Sequence, residues 1–341
     1  MAAAETLRTA GYETAFAENV DLVVASPGVP VKSELQLGVE ALKARGAKLL
    51  AVTGSKGKSS VVKLVTEALA LAGYRAVACG NYGLPVCAVG ECDWAVVEVS
   101  SFQLETTSLG PDAFAGAVIL NLQEDHLDRH GSRGAYHAVK RRILEMTENG
   151  FVAEGLPASP LAAGSYFDNP VLAANGAAAV VLLHIAGVPD ETIRRAFAAF
   201  KPLPHRMCRV CEQGGVVYVD DSKATSIAAL MAGVQMAKGR IRLIAGGLPK
   251  GDDPAAARSL LAARVEKVYL IGASAEAFAA AWAGATACEV CGTLERAVAR
   301  AKAEARPGET VLLSPGTASF DQFKSFEERG ERFADLVQKE G

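Results

Sequence analysis

No stretch of this sequence is long and apolar enough to span a bilayer. The most apolar run, residues 177–187, is 11 residues long and already carries His184, whereas a spanning helix needs about 20. The first residues hold no basic segment followed by an apolar one, so no secretory signal is read there. An excess of one charge is also missing. Lys and Arg total 35 against 38 Asp and Glu, a formal charge of −3, which gives no general attraction to nucleic acid or an anionic membrane. Short-period repeats and long charge blocks are absent too. What remains is a cytoplasmic protein of ordinary globular composition, 50% hydrophobic and 21% charged over 341 residues, long enough for two or three domains. Its expected partners are small molecules, with neither nucleic acid nor membrane among them, and it is expected to be a monomer.

A disulfide framework is not expected either, because seven cysteines is an odd count in a chain that is not small. Two pairs, Cys208/Cys211 and Cys288/Cys291, have the C-x-x-C spacing of zinc thiolates. Both lie in β-like runs, where residues three apart point to opposite faces, and the gap between the pairs is far longer than a zinc ribbon's. They read better as small buried hydrophobes.

What the chain has in abundance is alternation. Short β-branched runs at 21–25, 48–53, 75–79, 94–99 and 116–121 are interleaved with helical patterns at 33–45, 58–72 and 133–147, the signature of a parallel α/β sheet. A Gly-, Pro- and Ala-rich stretch at 148–165 reads as a loop or as the reduced remnant of something larger, followed by helices at 170–186 and 190–199. Prolines at 202 and 204 mark a domain boundary. Beyond it come strands at 216–220, 241–245, 267–271 and 310–313, with helices at 226–237, 254–264, 275–283 and 293–305. A last helix runs from about 320 to 338, and this half reads as a second doubly wound sheet.

The sharpest local signal is Gly54-Ser55-Lys56-Gly57-Lys58-Ser59-Ser60, which leaves a strand and opens a helix. Backbone N–H groups of such a loop cradle phosphate oxygens, aided by the helix N-terminus. Lys58 would reach the β- and γ-phosphates and Ser59 would ligate Mg²⁺. Only two residues separate the glycines, fewer than in the usual phosphate loop. Glu98 stands at the end of the next strand but one, where such proteins place a metal- or water-positioning carboxylate. A third cluster, from Asn121 through Asp125, His126, Asp128, Arg129 and His130 to Gly131, crowds in residue types suited to metal and phosphate contacts. In the second half, His205-Arg206 follows the domain boundary, while the run Asp220 to Thr225, the loop Gly246 to Gly251 with Lys250, and the run Ser314 to Lys324 with Ser319 each lie at the end of a strand. Loops at the carboxyl ends of one sheet converge on one crevice, so Lys250, Thr225 and Ser319 read as a carboxylate-binding set. The bland alternative is turns and helix caps, with Ser319 an N-cap.

These strings, together with Ser26-Pro-Gly28, Gly80-Asn81-Tyr-Gly-Leu-Pro85, Tyr136-His-Ala-Val-Lys140 and Leu203-Pro-His-Arg206, resemble the Mur ligase family, and within it the branch that adds D-glutamate. The resemblance runs in order from about residue 20 to the C-terminus. It implies an α/β architecture with a P-loop central ATPase domain, residues 48–203, and a Rossmann-like amino-acid-binding domain, residues 204–341. A truncated N-terminal segment for the UDP substrate would occupy residues 1–47. It implies ATP and Mg²⁺ as cofactors and an ADP-forming reaction, in which ATP phosphorylates the carboxylate of UDP-N-acetylmuramoyl-L-alanine and the D-glutamate amine attacks the acyl phosphate. Lys58 and Ser59 would bind ATP phosphates and Mg²⁺. Glu98, His126 and Lys140 would serve a second Mg²⁺, Lys140 after carbamylation. Asn81 would polarise phosphate or acyl oxygens, and Arg206, Asp221 and Asn175 would contact the nucleotide. Lys223, Thr225, Lys250, Ser319 and Phe326 would position the D-glutamate carboxylates.

The chain departs from the family pattern in two places. Only 53 residues precede Gly54, where a fuller dinucleotide-type domain is the rule. Leu172 stands where the family has the first asparagine of its adenine motif, while Asn175 fills the second position. The activity that the resemblance implies is D-glutamate addition to UDP-N-acetylmuramoyl-L-alanine in peptidoglycan synthesis. A smaller acceptor without UDP and a nucleotide-binding regulatory protein are the rivals.

Overall fold

The structure is a computed structural model that describes residues 32–123 and 127–338. The expected strand at 21–25, the turn after it, and His126 lie outside the described residues. The chain divides into two compact units, Met1–Phe200 and Lys201–Gly341.

The first unit is built on five parallel strands, β1 (Lys48–Thr53), β2 (Ala76–Gly80), β3 (Trp94–Glu98), β4 (Gly116–Ile119) and β5 (Gly150–Val152), in the order β2-β3-β1-β4-β5. β1 and β3 are buried almost throughout, as strands covered on both faces must be. Leu49 and Ala51 join the cluster that contains Leu35, Val39 and Leu42 of the helix Glu34–Ala44. Each such aliphatic side chain contributes about 1.5–3 kcal/mol on full burial, which fastens that helix to the sheet. Leu50 and Val52 are equally buried and alternate to the other face, where helix Lys58–Leu71 packs beside helices Ala173–Ile185 and Asp190–Ala199.

Two differences from the sequence reading have local causes. The helix expected over 133–147 ends at Arg141 and tightens into a 3₁₀ turn, Arg142–Met146. There the Arg142 guanidinium donates to the carbonyls of Leu104, Glu105 and Thr107, drawing the chain toward helix Ser101–Thr106. The stretch expected as loop at 148–165 contains β5, a three-residue strand too short to register as a β-branched run.

The second unit has six strands, β6 (Cys208–Gln213), β7 (Val216–Asp220), β8 (Ile241–Gly246), β9 (Val265–Ile271), β10 (Ala287–Gly292) and β11 (Thr310–Leu313), in the order β10-β9-β8-β11-β7-β6. All neighbours are parallel except the β6–β7 edge pair. Leu243, Val268, Leu270 and Leu312 face helices Ile227–Met236, Arg258–Arg264 and Ala275–Trp282. Their neighbours Ile244, Tyr269, Ile271, Val311 and Leu313 face helices Leu294–Glu304 and Phe326–Gln338. That alternation is the doubly wound pattern. The cysteine pairs sit on β6 and β10, the two outer strands, so they cannot share one metal.

The last helix starts at Phe326, later than the sequence suggests. Residues 314–325 stay in a loop because Ala318 bridges to Leu248 and the Ser319 carbonyl accepts from the N–H groups of Gln322 and Phe323. Ser319 is therefore not the N-cap of that helix. Among the described residues, no helix is long and apolar enough to cross a membrane.

Candidate active site

β1 runs into the Gly54–Ser60 loop, and helix Lys58–Leu71 follows directly. Its N-cap is Gly57, with φ 87° and no side-chain cap, and its first turn carries no acidic residue. A helix end without an acidic side chain in its first turn suits an anion. The Lys58 ammonium folds over the loop and donates to the carbonyls of Gly54 at 2.8 Å and Ser55 at 3.2 Å. Ser59 is half-buried and Ser60 buried. The loop is shaped from outside by residues that the phosphate-loop pattern alone does not reveal. The Asn121 side chain accepts from the Lys56 N–H and donates to the Lys56 carbonyl, both at 2.9 Å. Ser55 Oγ meets Tyr136 Oη at 3.0 Å.

Asn175 sits behind this loop. A methyl group on Gly57 would lie 2.3 Å from its Nδ2 atom, and only 6% of the residue is exposed. The structure places its amide against the phosphate-loop backbone.

Glu98 ends β3, in register with Val52 of β1 on one side and Gly80 of β2 on the other. Asn81, the next residue after β2, donates from Nδ2 to Glu98 Oε1 at 2.8 Å. The second oxygen, Oε2, is buried and has no hydrogen-bond partner among the described residues. A buried carboxylate oxygen left this way calls for an ion or water, and hard oxygen donors suit Mg²⁺. Glu98 supplies one such oxygen, although among the described residues no three His, Cys, Asp or Glu side chains cluster as a metal site.

Lys140 is buried on the helix Arg133–Arg141. Its Nζ donates to the Gly54 carbonyl at 3.0 Å and lies 3.5 Å from Thr53 Oγ1, at the carboxyl end of β1. Tyr136, one turn earlier on the same face, places its ring 4.8 Å from that ammonium. This i, i+4 spacing was the available sequence signal for Tyr136. In the Asn121–Gly131 cluster the structure turns two members to other work. Arg129 pairs with Glu105 at 2.7 Å, and His130 pairs with Glu105 at 3.0 Å and contacts Ser101 Oγ at 3.1 Å. Both thus tie their segment to helix Ser101–Thr106.

In the second unit the strand-end loops do converge. Gly316 N–H donates to the Ala224 carbonyl, Leu248 bridges Ala318, and Asp252 accepts from the Ile227 N–H at 3.0 Å. Lys223 lies over the Phe326 ring at 3.7 Å. Burial, then the neighbouring charges of Arg206 and Lys250, lower its pKa, with Glu327 opposing. Two further cations acting on Lys223 make this an electropositive surrounding that favours an anion. Thr225 is half-buried and Ser319 buried at the same strand ends. Asp221 points inward instead: its oxygens accept from Ser314 Oγ at 2.8 Å and the Met207 N–H at 3.2 Å. Burial pushes its pKa up to about 7 against those hydrogen bonds. Arg329, which motif reading passed over, is 1% exposed and donates to Ser222 Oγ and to the carbonyls of Ser222, Thr317 and Ala318. It staples two of the converging loops together.

Residues 52–153 match the Mur ligase middle domain, and residues 205–316 match the Mur ligase glutamate ligase domain. The chain is 36% identical to a UDP-N-acetylmuramoylalanine–D-glutamate ligase of Acidobacterium capsulatum, over 93% of this chain and 82% of that one. The chain belongs to the Mur ligase family. A second such ligase, from Chlamydia caviae, is 35% identical over 94% of this chain and 85% of its own. Among solved Mur ligases, MurF of Acinetobacter baumannii superposes with a TM-score of 0.65 at 16% identity, over 90% of this chain and 80% of that one. This last likeness concerns the fold. As a Mur ligase, the chain is an ATP-dependent amide ligase that forms ADP.

Proposed function

We propose that this Mur ligase joins D-glutamate to UDP-N-acetylmuramoyl-L-alanine through an acyl phosphate, acting as a cytoplasmic monomer in peptidoglycan synthesis. The observation that carries the chemistry is the Asn81–Glu98 pair, with a Glu98 oxygen that has no partner among the described residues, set in register beside the strand that opens into the phosphate loop. Identity above a third with D-glutamate ligases, along nearly the whole chain, supports the choice of amino acid and acceptor.

In this reading the Gly54–Ser60 backbone and Lys58 hold the ATP phosphates. Ser59 would hold one Mg²⁺ beside the phosphates, and Glu98 and His126 would hold a second, joined by Lys140 once carbamylation has turned its ammonium into a carboxylate. The metal neutralises charge on the phosphoryl oxygens when bound. Asn81 orients Glu98 and presents its amide to phosphate or acyl oxygens. Arg206 supplies positive charge to the nucleotide. Lys223, Lys250, Thr225, Ser319 and Phe326 place the D-glutamate carboxylates so that the amine meets the acyl phosphate, and such positioning supplies much of the rate. Asn175 and Asp221 serve the nucleotide through backbone they hold in place, Asn175 at Gly57 and Asp221 at Met207.

The test is phosphate release by the purified protein with ATP, Mg²⁺, D-glutamate and UDP-N-acetylmuramoyl-L-alanine, each omitted in turn. Release that requires all four supports the reading. Release that proceeds equally with a small carboxylate in place of the UDP substrate assigns a different acceptor.

A further inference from the structure

Arg206 lies between two residues in left-handed backbone, His205 at φ 59° and Met207 at φ 52°, and among the described residues these alone combine a side chain with positive φ. Side chains other than glycine are uncommon in that region, although histidine enters it more readily than methionine, and two such residues flanking one position call for contacts that hold them there. The consecutive aspartates that end β7 do so from opposite faces of the sheet. Asp220 Oδ2 meets His205 Nδ1 at 2.6 Å, while Asp220 Oδ1 accepts from the Ser222 N–H at 2.9 Å. Asp221 accepts from the Met207 N–H and is steadied by Ser314. Each aspartate is backed by a glycine that leaves room for it. A methyl group at Gly330 would lie 2.1 Å from His205 Nδ1 and 2.7 Å from Asp220 Oδ2, and one at Gly233 would lie 2.6 Å from Asp221 Oδ2. The Lys223 N–H donates to the His205 carbonyl at 3.0 Å, which brings the backbone of 205–206 beside that of the second cation. The Arg206 guanidinium itself makes no hydrogen bond or ion pair among the described residues.

We propose that Asp220 and Asp221 form a two-sided clamp whose task is to hold His205 and Met207 in left-handed backbone, and so to aim Arg206 at an anionic group of the nucleotide. Asp220, Asp221 and His205 are positioning residues, and the inference rests on the nucleotide reading of Arg206. Asp220 is the cleanest probe, because Asp220→Asn keeps the shape and removes the charge that holds His205.

The experiment measures MgADP affinity by calorimetry and steady-state kinetics for the whole chain carrying Arg206→Ala, Asp220→Asn or both. Loss of one charge-assisted contact corresponds to about tenfold in affinity. Arg206→Ala is expected to weaken MgADP by about that factor. Asp220→Asn should weaken it comparably, raising KM for ATP while kcat at saturation changes little, and the double variant should be no weaker than Arg206→Ala alone. His205→Asn, whose new side chain tolerates left-handed backbone, should lose less affinity than His205→Ala; this pair decides the matter if Asp220→Asn does not fold. Wild-type affinity in Arg206→Ala would remove the nucleotide reading itself. A weakened Arg206→Ala beside an unaffected Asp220→Asn, or losses that add in full in the double variant, would overturn the clamp alone.

Discussion

Asn121 grips the peptide of Lys56 from both sides, accepting its N–H and donating to its carbonyl at 2.9 Å each. The phosphate loop is thus held in shape by a residue from the end of a different strand. Positioning of this kind lowers the cost of ordering the loop when the nucleotide arrives.

Asn121→Ala should therefore act on binding more than on folding. Two hydrogen bonds at about 0.5–1.5 kcal/mol each predict a rise of roughly tenfold in KM for ATP. Because Lys56 is exposed, water replaces the lost partners in the free enzyme and Tm should hardly move.

Gly57→Ala should be more severe. It places a methyl 2.3 Å from Asn175 Nδ2 and forces a side chain onto φ 87°. The backbone term alone costs about 1–3 kcal/mol. The double variant with Asn175→Ala should recover only part of the loss in ATP binding, because it removes the clash and leaves the strained backbone.

Asp221 predicts an unusual dependence of stability on pH. Its folded pKa is pushed up to about 7, above an unfolded value of about 3.9. Between those values the folded state holds the extra proton, so this group's contribution to stability falls as pH rises from about 4 to about 7, then levels off. Asp221→Asn should flatten that decline. Denaturant unfolding at pH 5 and pH 8 checks it: the variant should gain on the wild type at pH 8 relative to pH 5.

Arg329 is a buried guanidinium whose hydrogen bonds go to neutral acceptors, and its pKa is lowered to about 10, chiefly by burial. Arg329→Ala leaves several buried acceptors unpaired, and a loss of at least about 1–3 kcal/mol is expected. Arg329→Lys should restore little of it, since an ammonium cannot reproduce the planar fork. Thermal unfolding of both variants tests this.

The parts of the fold carried by repeating side-chain patterns were legible in the sequence. β1, β7 and β11 lie where alternation and β-branched runs put them, because such runs are set by burial on both faces. β5 was not, since three residues are ordered by pairing with β4 rather than by their own pattern. The start of the final helix was misplaced because the Ala318–Leu248 bridge, a contact between distant loops, outweighs local propensity. Within the site, the phosphate loop and Glu98 announce themselves by residue type and by their place after a strand. The residues that shape the loop do not: Asn121 and Tyr136 act through single contacts with Lys56 and Ser55 that only the folded chain brings together. His130 and Arg129 carry metal- and phosphate-binding residue types and spend them on Glu105.

The measurement that bears most directly on the account is mass spectrometry of the product formed from ATP, Mg²⁺, UDP-N-acetylmuramoyl-L-alanine and either D- or L-glutamate, with Glu98→Gln as the paired control. The account predicts an acceptor heavier by one glutamate residue with the D-isomer alone, one ADP per amide formed, and loss of both in Glu98→Gln. ATP binding by the folded protein without any amide product, or product formation that Glu98→Gln leaves unchanged, would contradict it.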